Sequence, residues 1–331
     1  MPIEISSDAP IFIVGCARSG TTLLRDLLRS HPRLTFPEES HFIPLFYRAY
    51  GDPQNAAEAC ELAKQILRLR WVRLWRLGLE PASFSDCRSF REVLSRLYET
   101  WARDENKPRW GDKTPGYVRE IPLLIKLFPG ARILHIYRDG RDVALSWFSH
   151  VWFGPRNMYT AAGQWRRRVN AGRGAAATLP RGTYMEVRYE TLLEQPRETM
   201  QQVCEFLGEP FDEAVLRPSK IEGDPRLNPF SAQNSRGELM RNNAGKWKTR
   251  MPVRDRVLFE SIAGDLLETL GYETEGRTRR ISSAERVAWH LHHLFWRRMM
   301  KLAAMSNAAY RSTHLQEKRA RARAKRREAT P

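Results

Sequence analysis

What the chain has little of narrows its class first. It holds only four cysteines (Cys16, Cys60, Cys87 and Cys204), scattered without the close pairing of a zinc site or a disulfide framework. No uncharged apolar stretch reaches the roughly 18 residues of a spanning helix. No basic segment precedes the first apolar run, which is of strand length, so no secretory leader is read here. There is no internal repeat. These lacks lead to the expectation of a reducing, cytoplasmic setting in which any membrane contact is peripheral. Acidic residues are scarce in one place. Residues 277–331 carry 15 Lys and Arg against 3 Asp and Glu, a balance of +12 out of the net +17. The other 276 residues carry 40 against 35, so the basicity belongs to the C-terminal end.

A further lack sits in the most informative stretch. Ile11 to Val14 reads as a short buried strand, Gly15 and Gly20 bound a turn, and Leu23, Leu24, Leu27 and Leu28 carry helical spacing. Strand, glycine-bounded turn and helix form a phosphate cradle, because turn amides and a helix N-terminus both face an anion. A nucleoside-triphosphate loop of this spacing would place Lys where Thr21 stands. That Lys is missing, and Arg18 is the nearest replacement cation. The next strong strand, 131–137, ends in Arg138 rather than in a metal-holding Asp, which leaves Asp139 as a weak metal candidate. The expectation is a nucleotide gripped by cations and amides, with no metal.

Three motifs then carry a resemblance. The loop 15–22, the run Tyr137-Arg138-Asp139-Gly140-Arg141-Asp142 with Ser146, and Arg188-Tyr189-Glu190 together resemble a sulfotransferase that takes 3′-phosphoadenosine 5′-phosphosulfate (PAPS) as donor. The likeness runs from about residue 10 to 275. His31-Pro32, Pro37-Glu38-Glu39-Ser40 and Asp112-Lys113-Thr114-Pro115 are most similar to the bacterial carbohydrate-type and the tyrosylprotein-type members. The implied fold is α/β, a P-loop-like three-layer arrangement with a central parallel sheet over 1–276. A basic helical or disordered C-terminal appendage follows over 277–331.

The resemblance also implies roles. Arg18, Ser19, Gly20, Thr21 and Thr22 would hold the 5′-phosphosulfate, and Arg138 with Ser146 the 3′-phosphate. Tyr189 would approach the adenine or ribose, or simply end a strand. Ser235 and Lys246 match later donor-loop contacts. Similar enzymes carry another arginine where this chain has His150. Glu39, 21 residues after Arg18, matches the carboxylate that takes the acceptor proton, provided that burial raises its pKa. Glu38 is read as a helix cap, and His41 and then His31 are the alternative bases. Lys113 matches the lysine at the leaving oxygen. Arg18 also serves the reacting group. Arg141 is read as a partner of a helix-start carboxylate, His135 and Trp247 as packing, and Cys16 as a small filler of the turn.

The implied acceptor is a hydroxyl on a carbohydrate, a peptide tyrosine or a small metabolite. Between 40 and 110 no strong strand is read, and helices are expected over 42–50, 56–75 and 90–101. The basic, Trp-bearing 66–76 segment is a candidate cover for an anionic or sugar acceptor, against the plainer reading of an amphipathic helix with solvated arginines. Residues 318–327 read as a solvated helix or a disordered tail. The C-terminal extension is a candidate contact for an anionic membrane surface, for nucleic acid or for a second copy of the chain. The rival readings are a degenerate P-loop kinase or NTPase, and a nucleotide-binding protein localised by its basic tail.

Overall fold

Five parallel strands form the centre of the protein. This computed structural model describes residues 9–149, 154–218, 243–305 and 308–329. The strands are β1 (Ile11–Gly15), β2 (Leu34–Thr35), β3 (Arg109–Lys113), β4 (Arg132–Tyr137) and β5 (Tyr184–Arg188), in the order β2-β3-β1-β4-β5. Gly15 of β1 pairs with Ile136 of β4, and Phe12 with Asp112 of β3. The helices, in chain order, are α1 (Thr21–Arg29), α2 (Ile43–Tyr50), α3 (Ala56–Leu67), α4 (Arg70–Leu74), α5 (Phe90–Asp104), α6 (Ile121–Leu127), α7 (Gly140–Phe148) and α8 (Met158–Ala176). They continue with α9 (Tyr189–Glu194), α10 (Pro196–Leu207), α11 (Trp247–Arg250), α12 (Val253–Thr269), α13 (Ser283–Ala304) and α14 (Ala308–Glu328).

Strand alternation divides the core between the two faces of the sheet. Ile11 and Ile13 pack with Leu24, Leu27 and Leu28 of α1 and with Met200 and Val203 of α10. Phe12 and Val14 face the other way, onto a cluster that draws in α2, α3 and α5. A third cluster joins α7, α8 and α12 around Trp147, Trp165 and Phe259. The chain leaves β1 towards β2 and β3 but leaves β4 towards β5. The carboxyl ends of β1 and β4 therefore diverge, which is where open α/β sheets hold ligands.

Several expectations need correction. The polar stretch 109–113 is a central strand, although no strand was read between the first and residue 131. Its polar side chains are buried with dedicated partners. Arg109 donates to the Ala9 carbonyl at 2.7 Å and to Glu209 at 2.9 Å, and the Tyr98 hydroxyl donates to Asp112 at 2.6 Å. The helix expected over 56–75 breaks into α3 and α4, and α9 and α10 are parted at Gln195, ahead of Pro196. Residues 318–327 form a helix with most of its side chains exposed, the solvated-helix alternative and not the disordered tail, but one line of that helix is docked. Ala320 and Ala324 of α14 are buried in the α2 cluster, and Arg323 donates to the Ala49 carbonyl at 3.1 Å and lies 4.4 Å from the Tyr50 ring centre. Gly208 does end α10 in the left-handed conformation, as its position predicts.

Candidate active site

The β1–α1 turn is shaped by its backbone. Arg18 and Gly20 both take positive φ, 76° and 96°. At Gly20 a Cβ would stand 2.3 Å from the Tyr189 ring, so glycine is required both for its conformation and for space. The first-turn amides of α1 have no carbonyl partner within the helix and point out of its N-terminus, the geometry of an anion cradle. The Ser19 hydroxyl is buried beside them, with no hydrogen-bond partner among the described residues. That orphaned donor and the open amides fit a phosphate-like group.

Arg18 reaches from the turn to α7, where its Nε donates to the Ser146 hydroxyl at 3.0 Å. Arg138, at the end of β4, lies over the Tyr189 ring at 4.6 Å, pairs with Asp142 at 3.3 Å and donates to the Asn243 carbonyl. Its Nε is buried with no partner among the described residues. Burial and the neighbouring Arg138 charge both push the Arg18 pKa down, whereas Tyr189 and Glu39 support its charged form. Two guanidiniums held this close favour an anion between them. Tyr189 opens α9 with its ring against Gly20, and its hydroxyl accepts from Asn243 at 2.7 Å. Lys246 donates to the Asn243 side chain at 2.6 Å. Ser235 and His150 lie outside the described residues.

The second half of the site stands at the end of β3. The Lys113 side chain is 1% exposed and pairs with Glu39, with Thr22 of α1 at 3.4 Å. His41 approaches Glu39 from the other side at 2.9 Å, adopts a φ of 57° and meets the Trp71 ring edge-on at 5.8 Å between centres. Burial works to raise the Glu39 pKa, but the charges and hydrogen bonds of Lys113 and His41 outweigh it. The carboxyl is held well below the usual carboxylate range. The upward shift that a base at this position was expected to show is therefore not what the structure has. The pKa of His41 is opposed by burial and raised, on balance, by Glu39.

Other assignments resolve as structure. Glu38 does not cap α2; it is buried in an ion pair with Arg25 at 3.1 Å, and Arg25 also pairs with Asp26 at 2.8 Å. His31 is bound at both ring nitrogens, by the Pro210 carbonyl at 2.9 Å and the Arg33 amide at 3.1 Å. His135 is buried against the Tyr184 hydroxyl at 2.5 Å, and burial pushes its pKa down to about 3. Asp139 caps α7 and pairs with Arg141, which also pairs with Glu260 at 2.8 Å and stacks on Trp247. Burial pushes the Cys16 thiol up to about 12, which suits a filler and not a nucleophile. In 66–76, Ile66, Leu69, Val72 and Trp75 are buried and Arg68, Arg70, Arg73 and Arg76 exposed, the amphipathic pattern. Among the described residues no group of three or more His, Cys, Asp or Glu could hold a metal ion.

Sequence reasoning missed the frame that holds Glu39 and His41. The Tyr117 hydroxyl bonds the Ser40 hydroxyl at 2.7 Å and accepts from the Ile43 amide at 3.1 Å, and Thr114 accepts from the Ser40 amide at 3.2 Å. The signal available was the run 112–117, in which Lys113 is followed by two residues of that frame, Thr114 and Tyr117.

Comparison with known proteins places the chain in a family. The family model described as "Sulfotransferase family" matches residues 10–213. A protein-tyrosine sulfotransferase of Drosophila melanogaster is 26% identical over 272 residues, covering 80% of this chain and 51% of its own. The nodulation protein NoeE of Sinorhizobium fredii is 28% identical over 294 residues, covering 79% of this chain and 65% of its own. The chain thus spans about half the length of the fly relative. The sulfotransferase domain from the curacin biosynthetic pathway superposes with a TM-score of 0.56 at 25% identity, covering 81% of this chain and 99% of that domain. The sulfotransferase domain of the Synechococcus PCC 7002 olefin synthase gives 0.59 at 25% identity, covering 80% and 96%.

Proposed function

Because the chain belongs to the sulfotransferase family, we propose that it moves a sulfonyl group from PAPS to a hydroxyl acceptor. The observation that carries this reading is the pair of charge clusters at one sheet edge. Arg18, Arg138 and the amides of the Lys-less loop stand on one side, and Lys113, Glu39 and His41 on the other. PAPS would supply an activated sulfonyl group with a phosphate as leaving group.

The amides of α1 and the orphaned Ser19 hydroxyl would take the 5′-phosphosulfate. Arg138, a planar multi-donor cation with a free Nε, would take the 3′-phosphate. The Lys113 ammonium is the group that shifts, from Glu39 towards the bridging oxygen. Once it does, Glu39 loses its strongest cationic partner and its proton affinity rises, which suits it to accept the proton of the acceptor hydroxyl. The acceptor oxygen gains the bond to sulfur, the bridging S–O pair leaves with the donor phosphate, and the proton stays on Glu39. His41, hydrogen-bonded to the same carboxylate, would keep Glu39 oriented.

Calorimetric titration with 3′-phosphoadenosine 5′-phosphate, beside ATP with Mg²⁺, tests the reading. Tight binding of the bisphosphate with little ATP binding is expected. The reverse would overturn it in favour of an ordinary nucleotide. Arg138→Ala should weaken bisphosphate binding by roughly 10- to 100-fold, the scale of a lost charge-assisted hydrogen bond.

A further inference from the structure

Helix α13 is 22 residues long and opens with a full capping box formed by Ser282 and Glu285, yet none of its residues is buried. One face rests on α8. The Asn157 side chain donates to the Trp289 carbonyl at 3.0 Å and lies 3.2 Å from His292, and Tyr159 meets the His290 ring. The face turned away is apolar. Leu291 is 61% exposed, Phe295 59% and Leu302 66%, and Val287, Leu294 and Met299 are exposed beside them.

At about 100° per residue these six side chains fall within one arc of roughly 140°. Arg286, Arg297 and Lys301 form a row along one border of that arc, and Arg298 lies inside it, where a long stem can run along apolar surface and lift its charge out. The helix has one acidic residue, Glu285, engaged by its own cap and by Arg279 at 2.8 Å. An apolar arc bordered by cations, with the only carboxylate neutralised at one end, is complementary to an apolar layer capped by anionic groups. A second copy packed antiparallel on this arc would bring this same cationic row against itself.

We propose that α13 docks the protein on an anionic phospholipid surface, with its apolar arc in the headgroup boundary and its cationic row against the phosphates. The proposal stands apart from the sulfonyl-transfer reading. It places the helix in the plane of the surface and needs no spanning segment.

The test is flotation of the full chain with vesicles of phosphatidylglycerol in phosphatidylcholine, against vesicles of pure phosphatidylcholine. Binding only to the anionic vesicles is expected. The Leu291→Asp/Phe295→Asp double variant should lose about tenfold or more of it. The Arg286→Gln/Arg297→Gln/Lys301→Gln variant should lose roughly fivefold per charge, and added salt should mimic that loss. Both variants alter exposed positions, and a thermal unfolding transition unchanged from the parent, without vesicles, would certify their folding. Absence of vesicle binding, or binding indifferent to lipid charge, overturns the proposal. So does a concentration-dependent dimer that the Leu291→Asp/Phe295→Asp variant dissolves in the absence of vesicle binding, because the arc then belongs to a second copy.

Discussion

Glu39 sits between Lys113 and His41, and both neighbours lower the pKa of its carboxyl. The folded pKa of Glu39 is depressed, so its contribution to stability is present at neutral pH and fades as pH falls through the acid range. The folded pKa of His41 is raised above its ordinary 6.5. Its contribution is therefore complete below that value and is lost as pH rises through the folded pKa. In Glu39→Gln the anion that holds the imidazolium is gone, while burial and Lys113 still oppose it. The His41 pKa should then fall from its parent value, with Asp112 the one remaining group that raises it, as read from a pH titration of its imidazole resonances; a value unchanged from the parent would refute the coupling. The same variant should keep bisphosphate binding and lose turnover. Persisting turnover would move the base to His41.

At the scale of elements, two contacts carry the site. The β1–α1 turn closes on α9 through Gly20, whose Cα lies under the Tyr189 ring. Gly20→Ala combines a positive φ with a clash, so a loss of about 1–3 kcal/mol in thermal or urea unfolding is expected, together with weaker bisphosphate binding. The start of α2 has no side-chain cap of its own and relies on the Tyr117 hydroxyl, which also fixes Ser40 between Glu39 and His41. Tyr117→Phe leaves the buried Ile43 amide unsatisfied. It should cost about 1–3 kcal/mol of stability, and kcat should fall more than donor affinity, because the acceptor half is displaced and the phosphate loop is not. An equal loss in both would mean that Tyr117 serves only the core.

At the scale of the molecule, the C-terminal region has two distinct relations to the rest. Helix α13 touches α8 with one face only, whereas α14 enters the core cluster of α2 through Ala320 and Ala324. We propose residues 277–331 as an extension whose last helix is integral to the fold. Ala320→Arg forces a long cation into a site that is 1% exposed. The melting temperature should drop by several degrees, as expected from a penalty of about 1–3 kcal/mol. An unchanged melting temperature would show that α14 is dispensable. Among the described residues no helix is long and apolar enough to cross a membrane.

Some of this was legible in the chain alone. Apolar runs announce β1 and β4, because a strand buried on both faces needs apolar side chains in succession, whereas the edge strand β5 carries Glu186 and Arg188 and buries only Val187. The anion cradle at 15–22 is local: turn, glycine and helix start follow one another, and no distant residue is needed to build it. The amphipathic character of α4 and α13 follows from helical spacing in the same way.

Only the tertiary structure decided the rest. The strand 109–113 carries Arg, Asp and Lys, and it is buried because Glu209, Tyr98 and Glu39 arrive from remote parts of the chain to pair with them. Side-chain pairing likewise inverts the expected pKa shift of Glu39 through Lys113 and His41, turns Glu38 from a cap into a partner of Arg25, and joins Arg18 to Ser146. A basic tail becomes a docked helix because two alanines in it meet a gap beside α2. Backbone preference and hydrophobic period act over a few residues and are written in order along the chain. Electrostatic pairing and core complementarity depend on which distant segments the sheet brings together, and so they exist only once it has formed.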